Sequence, residues 1–180
     1  DGIGAGVENG APNDGDGNLD GVADSGQPHV TSLPNAVDGS YVTLCSPSGS
    51  VLRSVSNTAA PWPVPLDGLS YPIGLFSFTV DGLALDGTTT VTLLLPPGTA
   101  YTSYWKYGPT PDNIAHHWYE FLYNGTTGAE ILSGPDRVVL HFADGLRGDD
   151  DLTADGKVTD IGGPSTGAVK LHRGTTLLVL

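Results

Sequence analysis

Short apolar runs separated by turn residues fill most of this 180-residue chain. Each run is about five to seven residues long and rich in Val, Leu, Thr and aromatic residues, which is typical of β-strands. The 26 Gly and 14 Pro punctuate the runs, and helical periodicity appears nowhere over a useful length. The pattern predicts an all-β fold, an antiparallel β-sandwich or jelly roll of about ten short strands.

The strand-like texture begins at His29, and what precedes it has a different composition. Residues 1–27 are mostly Gly, Asp and Asn with almost no large apolar side chain, so they cannot form a core of their own. We therefore divide the chain into an Asp/Gly-rich arm at residues 1–27, a sandwich domain at 28–164 and a C-terminal strand extension at 165–180. The predicted strands are HVTSL, YVTLCS, VLRSVS, LFSFTV, TVTLLL, YTSYWKY, HWYEFLY, RVVLHF, AVKLH and TTLLVL.

Three local patterns refine this prediction. Apolar and polar residues alternate in FSFTV at residues 76–80, which predicts a strand with one face toward solvent. Residues 111–116 (PDNIAH) are the best candidate for a single helical turn. Asn124 and Gly125 are a signal for a two-residue hairpin turn between HWYEFLY and the next run.

An acidic stretch in the arm has the spacing of a calcium-binding loop. Oxygen-bearing side chains occupy positions one, three, five and nine of the best register, and Gly21 falls at position six, where such a loop turns sharply. Carboxylates this close repel one another unless a cation lies between them. The predicted ligands are Asp14, Asp16, Asn18, Asp20, Asp24 and the backbone carbonyl of Val22.

The residues around this loop modify the prediction. Gln27 stands at position twelve, where a strong calcium site has a bidentate Glu. A fragment of a second loop precedes the first, with Asp1 at position five and Glu8 at position twelve, although Ala5 replaces the acid expected at position nine. We expect calcium to order the arm; a solvated Asp/Gly linker is the alternative.

A second acidic cluster follows the RVVLHF run. Four aspartates lie within seven residues, between Asp149 and Asp155, and one cation shared by several of them would explain their density. The predicted ligands are Asp149, Asp151 and Asp155. The alternative is a surface loop with Asp caps and a turn at Asp155 and Gly156.

Charge and motif content exclude several functions. The net charge of −13 with only seven Lys and Arg disfavours nucleic acid and anionic membranes as partners. No apolar segment is long enough to span a bilayer, so we predict no membrane insertion. Nucleophile, zincin and P-loop motifs are absent from the sequence, and nothing in it places Glu120 and Glu130 together as a hydrolase acid pair. We therefore predict no catalytic residues and no enzyme activity.

Aromatic residues leave a different binding function open. Most of the candidate rings lie in the YTSYWKY and HWYEFLY runs. The candidates are Trp62, Trp105, Trp118, Tyr101, Tyr104, Tyr107, Tyr119 and Tyr123. If they face solvent they form a platform for glycans, and if they face inward they form the core of the sandwich. The alternation in YTSYWKY places some on each face, and the core reading is favoured.

Several blocks of the sequence resemble the choice-of-anchor U domain of bacterial surface and exported proteins. The resemblance runs over about residues 26–164, and the arm is more loosely similar to thrombospondin type 3 and dockerin calcium repeats. The landmarks are DGNLDGVADSGQPHVTSLP, GSYVTL, Tyr107 and Gly108 of WKYGPTPDN, HHWYEFLYNGTTGAE and DGLRGDDDLTADGKVTDIGGP.

The resemblance implies a cellular location rather than an activity, because such domains are modules of exported proteins and no activity is generally assigned to them. We therefore expect a non-enzymatic, calcium-stabilised structural or adhesive β module at the bacterial cell surface. Its partners would be neighbouring surface modules or copies of itself. Residues 175–180 would build a filament if they added a strand to a neighbour's sheet, whereas pairing within their own sandwich is the alternative. A carbohydrate-binding module is the second candidate.

Overall fold

The computed structural model describes residues 1–59, 66–132 and 136–170. These residues form two antiparallel sheets that pack as a sandwich, which confirms the predicted all-β sandwich. The strands are β1 (Val30–Pro34), β2 (Tyr41–Cys45), β3 (Val51–Thr58), β4 (Leu69–Ser70), β5 (Leu75–Asp81), β6 (Thr88–Leu94), β7 (Ser103–Thr110), β8 (Asn113–Glu120), β9 (Gly128–Leu132), β10 (Arg137–Ala143) and β11 (Lys157–Gly167).

Strand order brings distant parts of the chain together. The five-stranded sheet has the order β1-β2-β6-β10-β9, and the six-stranded sheet contains β3-β5-β11-β7-β8 with β4 paired to the end of β11. Strand β11 therefore lies between β5 and β7, and residues 165–167, which open the predicted C-terminal extension, are its last residues. The predicted strand at residues 175–180 lies outside the described residues.

The core lies between the two sheets and follows the alternation of the strands. In β5 the side chains of Phe76, Phe78 and Val80 are buried, whereas Ser77 and Thr79 are half-exposed, which confirms the predicted alternation. The ring of Phe78 makes an edge-to-face contact with Phe142, which belongs to the opposite sheet, and the ring centroids are 6.2 Å apart. Each such side chain stabilises the fold by about 1.5–3 kcal/mol when it leaves water.

The arm packs against both sheets. It contains α1 (Ala5–Glu8), α2 (Pro12–Gly15) and a 3-10 turn (Asp24–Gly26). The backbone N–H of Val55 in β3 donates to the carbonyl of Asp1 over 2.8 Å. On the other sheet, the hydroxyl of Tyr41 in β2 donates to the carbonyl of Val7 over 2.8 Å. These two bonds attach the start of the arm to one strand of each sheet.

Two local predictions were wrong for the same physical reason. Residues 111 and 112 form a turn and Asn113 begins β8, because the following residues pair with β7 instead of continuing a helix. Asn124 does make a turn, and its side-chain oxygen accepts the N–H groups of Thr126 and Thr127 at 3.0 Å each. That turn is not a hairpin, because β8 and β9 belong to different sheets. In both places tertiary pairing overrides the local signal.

Candidate metal centre and buried charged cluster

The acidic loop of the arm closes on its own backbone N–H groups. Asp16 accepts the N–H of Asp20 over 3.0 Å with one carboxylate oxygen and the N–H of Gly21 over 2.8 Å with the other. Gly21 has a φ of +88°, a conformation that suits glycine. The sharp turn predicted at position six is therefore present. A carboxylate has about four lone-pair sites, so each oxygen of Asp16 retains acceptor capacity.

Gln27 donates hydrogen bonds to two oxygen atoms that the loop spacing predicts as metal ligands. Its side-chain amide donates to Asp20 Oδ1 over 3.1 Å and to the carbonyl of Val22 over 3.0 Å. The N–H of Val22 and the amide of Asn18 also donate to the Asp20 carboxylate. These bonds lower the pKa of Asp20 below its ordinary value, and the bond from Val22 makes the largest contribution to that shift. The residue that replaces the expected Glu thus holds this half of the loop together without a cation.

Asp24 is the predicted ligand most firmly tied to the sandwich. Its side chain is fully buried, and Oδ2 accepts the N–H of Gly17 over 3.0 Å and the hydroxyl of Ser32 in β1. The Ser32 hydroxyl in turn lies 2.6 Å from that of Thr43 in β2. Asp14, in contrast, is exposed and has a φ of +59° within α2.

Glu8 and Asp24 form a pair of buried carboxylates. Glu8 is only 2% exposed and Asp24 is 0% exposed. In the described part of the chain, neither Glu8 Oε1 nor Asp24 Oδ1 has a hydrogen-bond partner. Burial first, and the charge of Asp24 second, raise the pKa of Glu8 above its ordinary value. Two orphaned carboxylate oxygens in a low-dielectric setting are stabilised by a proton or by a cation.

These residues fit a hard cation only with help from other oxygens. Among residues 1–59, 66–132 and 136–170, no three His, Cys, Asp or Glu side chains converge as a metal site. Calcium takes six to eight oxygen ligands and accepts backbone carbonyls and waters among them. A cleft of about 380 Å³, whose lining includes Asp1 and Glu8, opens to solvent next to Glu8.

The three predicted ligands in the loop between β10 and β11, here called the late loop, have different surroundings. Asp149 is buried, and its two oxygens accept the N–H groups of Gly145 over 2.9 Å and of Thr159 over 3.0 Å. Asp151 is exposed and accepts the N–H of Thr153 over 2.8 Å. Asp155 is also exposed and lies 3.7 Å from the ammonium of Lys157. The structure gives these three residues hydrogen-bonding roles, and their assignment as metal ligands stays a prediction.

Sequence reasoning missed Asp144, which organises the same loop. It is 2% exposed, and its carboxylate accepts the N–H groups of Asp155 over 3.2 Å, of Gly156 over 2.9 Å and of Asp86 over 3.1 Å. It therefore ties the connection between β10 and β11 to the residues before β6. Its position directly after a buried strand was the available signal.

The most unusual group in the described core is a buried lysine. Lys106 of β7 is 0% exposed, and its ammonium contacts Asp160 Oδ1 of β11, which is also fully buried. The other oxygen of Asp160 accepts the hydroxyl of Tyr104 over 2.8 Å. Asp150, from the loop before β11, lies with Oδ1 3.2 Å from the same ammonium, without the alignment of a hydrogen bond. One cation thus meets two carboxylates in the core.

The register of β7 and β11 brings Lys106 and Asp160 together. Lys106 pairs with Gly162 on the neighbouring strand, and Asp160, two residues from Gly162, shares its face of the sheet. A Cβ at Gly162 would lie 2.9 Å from Cγ of Lys106 and 2.5 Å from the Tyr104 ring. The absence of a side chain at Gly162 therefore lets Lys106 lean across β11 toward Asp160.

Aromatic rings enclose the lysine. Its Nζ lies 5.5 Å from the centroid of Phe121 and 5.6 Å from that of Phe142, and these two rings stack with centroids 5.5 Å apart. The guanidinium of Arg147 covers the outer side of Phe121 at 4.8 Å and donates to the carbonyl of Glu120 over 2.8 Å. The cluster is consequently shielded from water by apolar side chains and one arginine.

The burial of these groups changes their protonation. Burial raises the pKa of Asp150 to about 7, against the opposing effect of Lys106. Burial lowers the pKa of Lys106, but the charges of Asp160 and Asp150 outweigh it, and the net shift is upward. Burial also raises the pKa of the Tyr119 hydroxyl to about 12. The pocket therefore retains protons that the same groups would lose more readily in water.

The aromatic residues divide between the core and the outer face. Tyr104 is buried, whereas Trp105, Tyr107 and Trp118 are half-exposed, and Trp62 lies outside the described residues. Tyr107 and Trp118 pair across β7 and β8 with ring centroids 5.5 Å apart. The face of β7 and β8 turned away from the core thus carries a short row of partly exposed rings.

Comparisons with protein-family models, with curated proteins and with solved structures found no match to this chain. The resemblance to choice-of-anchor U domains therefore remains an expectation from the residues themselves. In the part of the chain that the structure describes, no helix has the length and apolar character needed to cross a membrane.

Proposed function

We propose that this chain is a non-enzymatic, calcium-stabilised β module of the bacterial cell surface, in which the cation fixes the arm onto the sandwich. The observation that carries the proposal is the buried pair of Glu8 and Asp24, each with an oxygen that lacks a partner. Extracellular modules bind calcium at the millimolar concentrations found outside cells, so a partly preformed site is sufficient there.

The position of the pair supports a structural purpose. Asp24 is bonded to Ser32 of β1, and Glu8 ends α1, which is held to β2 by the bond between Tyr41 and Val7. Neutralising both carboxylates would remove their repulsion where the arm meets the five-stranded sheet. Calcium binding would therefore appear as added stability of the whole domain, because it favours the native state by mass action.

Thermal unfolding in calcium and in chelator tests this proposal. We expect the melting temperature of the wild-type protein to rise with millimolar calcium. The double variant Glu8→Gln with Asp24→Asn should lose that rise while melting no lower in chelator, since it removes the repulsion. Asp112→Asn, which removes a charge from the exposed β7–β8 turn, should keep the full calcium response. Equal melting of the wild-type protein in calcium and in chelator would refute the proposal.

We further propose that this module assembles into a filament. A filament joined by strand addition depends on residues 175–180 as the donated strand, and sedimentation of the chain with and without residues 174–180 tests it. Particles that assemble unchanged without those residues would exclude strand donation by this segment.

The second candidate function is carbohydrate binding, favoured by the partly exposed rings of Trp105, Tyr107 and Trp118. Sugar rings stack on such faces, as other apolar surfaces do. Binding to a glycan array that disappears in Trp105→Ala and Trp118→Ala, with the melting temperature retained, would favour this candidate over a purely structural module.

A further inference from the structure

We propose that Lys106 and Asp160 condense to an amide that covalently joins β7 to β11, with Asp150 as the proton carrier. This proposal is independent of calcium and concerns a modification that the chain carries out on itself. The two partners are 54 residues apart in sequence, and the fold alone brings them together.

Geometry supplies the first requirement of the reaction, a nucleophile held against its electrophile. Lys106 Nζ contacts the carboxyl group of Asp160, and both side chains are 0% exposed and confined by packing. Tyr104 donates to the second oxygen of Asp160, which fixes the plane of the carboxyl group and polarises its carbon. Such fixed proximity replaces the entropy cost of an encounter between separate groups.

Exclusion of water supplies the second requirement. Joining an amine to an acid releases one water molecule, and abundant water would reverse the reaction. Phe121 and Phe142 cover the ammonium on one side, and Arg147 closes the outer side of Phe121. The amide that forms is neutral, whereas the starting ion pair is costly to bury, so the same enclosure favours the product.

A nearby proton carrier supplies the third requirement. Asp150 Oδ1 lies 3.2 Å from Lys106 Nζ, and neither Asp150 oxygen has a hydrogen-bond partner among the described residues. Its position is set from two sides. The N–H of Asp150 donates to the carbonyl of Thr159 over 3.1 Å, and Gly108 leaves space for the carboxylate over β7.

The atoms balance without any oxidant or cofactor. One proton passes from the Lys106 ammonium to the Asp160 carboxylate, which leaves a neutral amine and a carboxylic acid. The nitrogen lone pair attacks Cγ of Asp160, and Asp150 takes a second proton from the nitrogen. Asp150 then returns this proton to the departing hydroxyl group, the C–O bond breaks and water leaves. The amide nitrogen keeps the third proton, and Asp150 is regenerated.

Mass spectrometry of the folded protein tests the proposal. We expect the intact wild-type chain to be lighter than its sequence by the mass of one water molecule. After denaturation and trypsin digestion, cleavage at Lys106 should be blocked, and residues 54–137 should remain joined to residues 158–170. A succinimide at an Asp-Gly sequence has the same mass loss, but hydroxylamine opens it and leaves the amide intact.

Variants separate the roles of the three residues. Lys106→Met and Asp160→Ala should have the full mass, and Asp150→Asn should also have it while circular dichroism reports a folded sandwich. Lys157→Met, which changes an exposed lysine of β11, should remain lighter by one water. A folded wild-type protein at its full sequence mass would overturn the proposal, and a light Asp150→Asn chain would overturn the role of Asp150.

Discussion

Gly108 lies against the carboxylate of Asp150, so closely that a Cβ at position 108 would be 2.7 Å from Oδ1 and 3.2 Å from Cγ. The residue belongs to β7, whereas Asp150 comes from the loop between β10 and β11. The absence of a side chain at Gly108 of β7 therefore leaves the space in which the carboxylate of Asp150 lies.

We expect Gly108→Ala to destabilise the protein by about 1–3 kcal/mol, the usual range for overpacking a tight interior. The added methyl group should also move Asp150 away from Lys106 and reduce the fraction of chain that has lost one water. Urea unfolding and intact mass measure the two effects. Gly6→Ala is the control, because a Cβ there meets nothing within 4 Å. Unchanged stability of Gly108→Ala would contradict the packing described here.

The dependence of stability on pH should report the protonation of Glu8. The folded-state pKa of Glu8 is raised, chiefly by burial, above its ordinary value of 4.5. The native state then binds more protons than the unfolded state, and in chelator stability should fall as pH rises above about 4.5 toward the raised pKa. Glu8→Gln should flatten this part of the profile. Urea midpoints in chelator measure it, and a midpoint that rises over that interval would contradict the assignment.

Gln27→Glu should exchange intrinsic stability for dependence on calcium. The variant places a carboxylate where an amide now donates to Asp20 and to the carbonyl of Val22. In chelator the loss should be about 1–3 kcal/mol, because two acceptors lose their donor. In calcium, a bidentate acid at position twelve should give a larger rise in melting temperature than the wild type has. Gln27→Leu serves as the control and should lose stability in both conditions.

Asp149→Asn distinguishes a structural role from a metal role in the late loop. The side chain accepts two backbone N–H groups, and an amide cannot accept both with oxygen. We expect a loss of about 1–3 kcal/mol that is equal in calcium and in chelator. Asp151→Asn, at an exposed position, should change stability little. A loss confined to calcium solutions would instead favour the metal ligands predicted from the sequence.

Local pattern predicted eight of the eleven described strands but missed β4, β9 and β11. The last of these contains Gly162, Gly163 and Pro164, which have little strand propensity. Residues 168–170 of the predicted AVKLH strand follow β11 and are not in a strand. The alternation in β5 and the β-branched runs of β6 and β10 determine which side chains face the core, and these signals extend over only a few residues. The order of the strands was not predictable, because it depends on how sheet faces pack across the whole chain. The turn at Asn124 illustrates this limit, since its local chemistry is the same whether it joins neighbouring strands or crosses between sheets.

The candidate sites divide in a similar way. Loop spacing predicted the turn at Gly21, which the structure confirms, but did not predict that Gln27 would donate to the oxygen atoms around that turn. Lys106 stands two residues from Tyr104 in YTSYWKY, so alternation assigns both to one face. Nothing local to β7 indicates that Asp160 and Asp150 would meet that lysine. Their meeting is a property of strand register and of the loop that precedes β11.

A covalent bond between Lys106 and Asp160 would join β7, near the middle of the chain, to β11, near its end. Such a bond would limit how far the domain can extend under tension. The two residues are 54 positions apart, which corresponds to about 190 Å of fully stretched chain at ~3.5 Å per residue. A pulling force applied at the two ends of the chain would not extend this segment. A chain cross-linked in this way would lengthen under a pulling force only through the residues outside the segment from Lys106 to Asp160, and the residues within that segment would carry no tension.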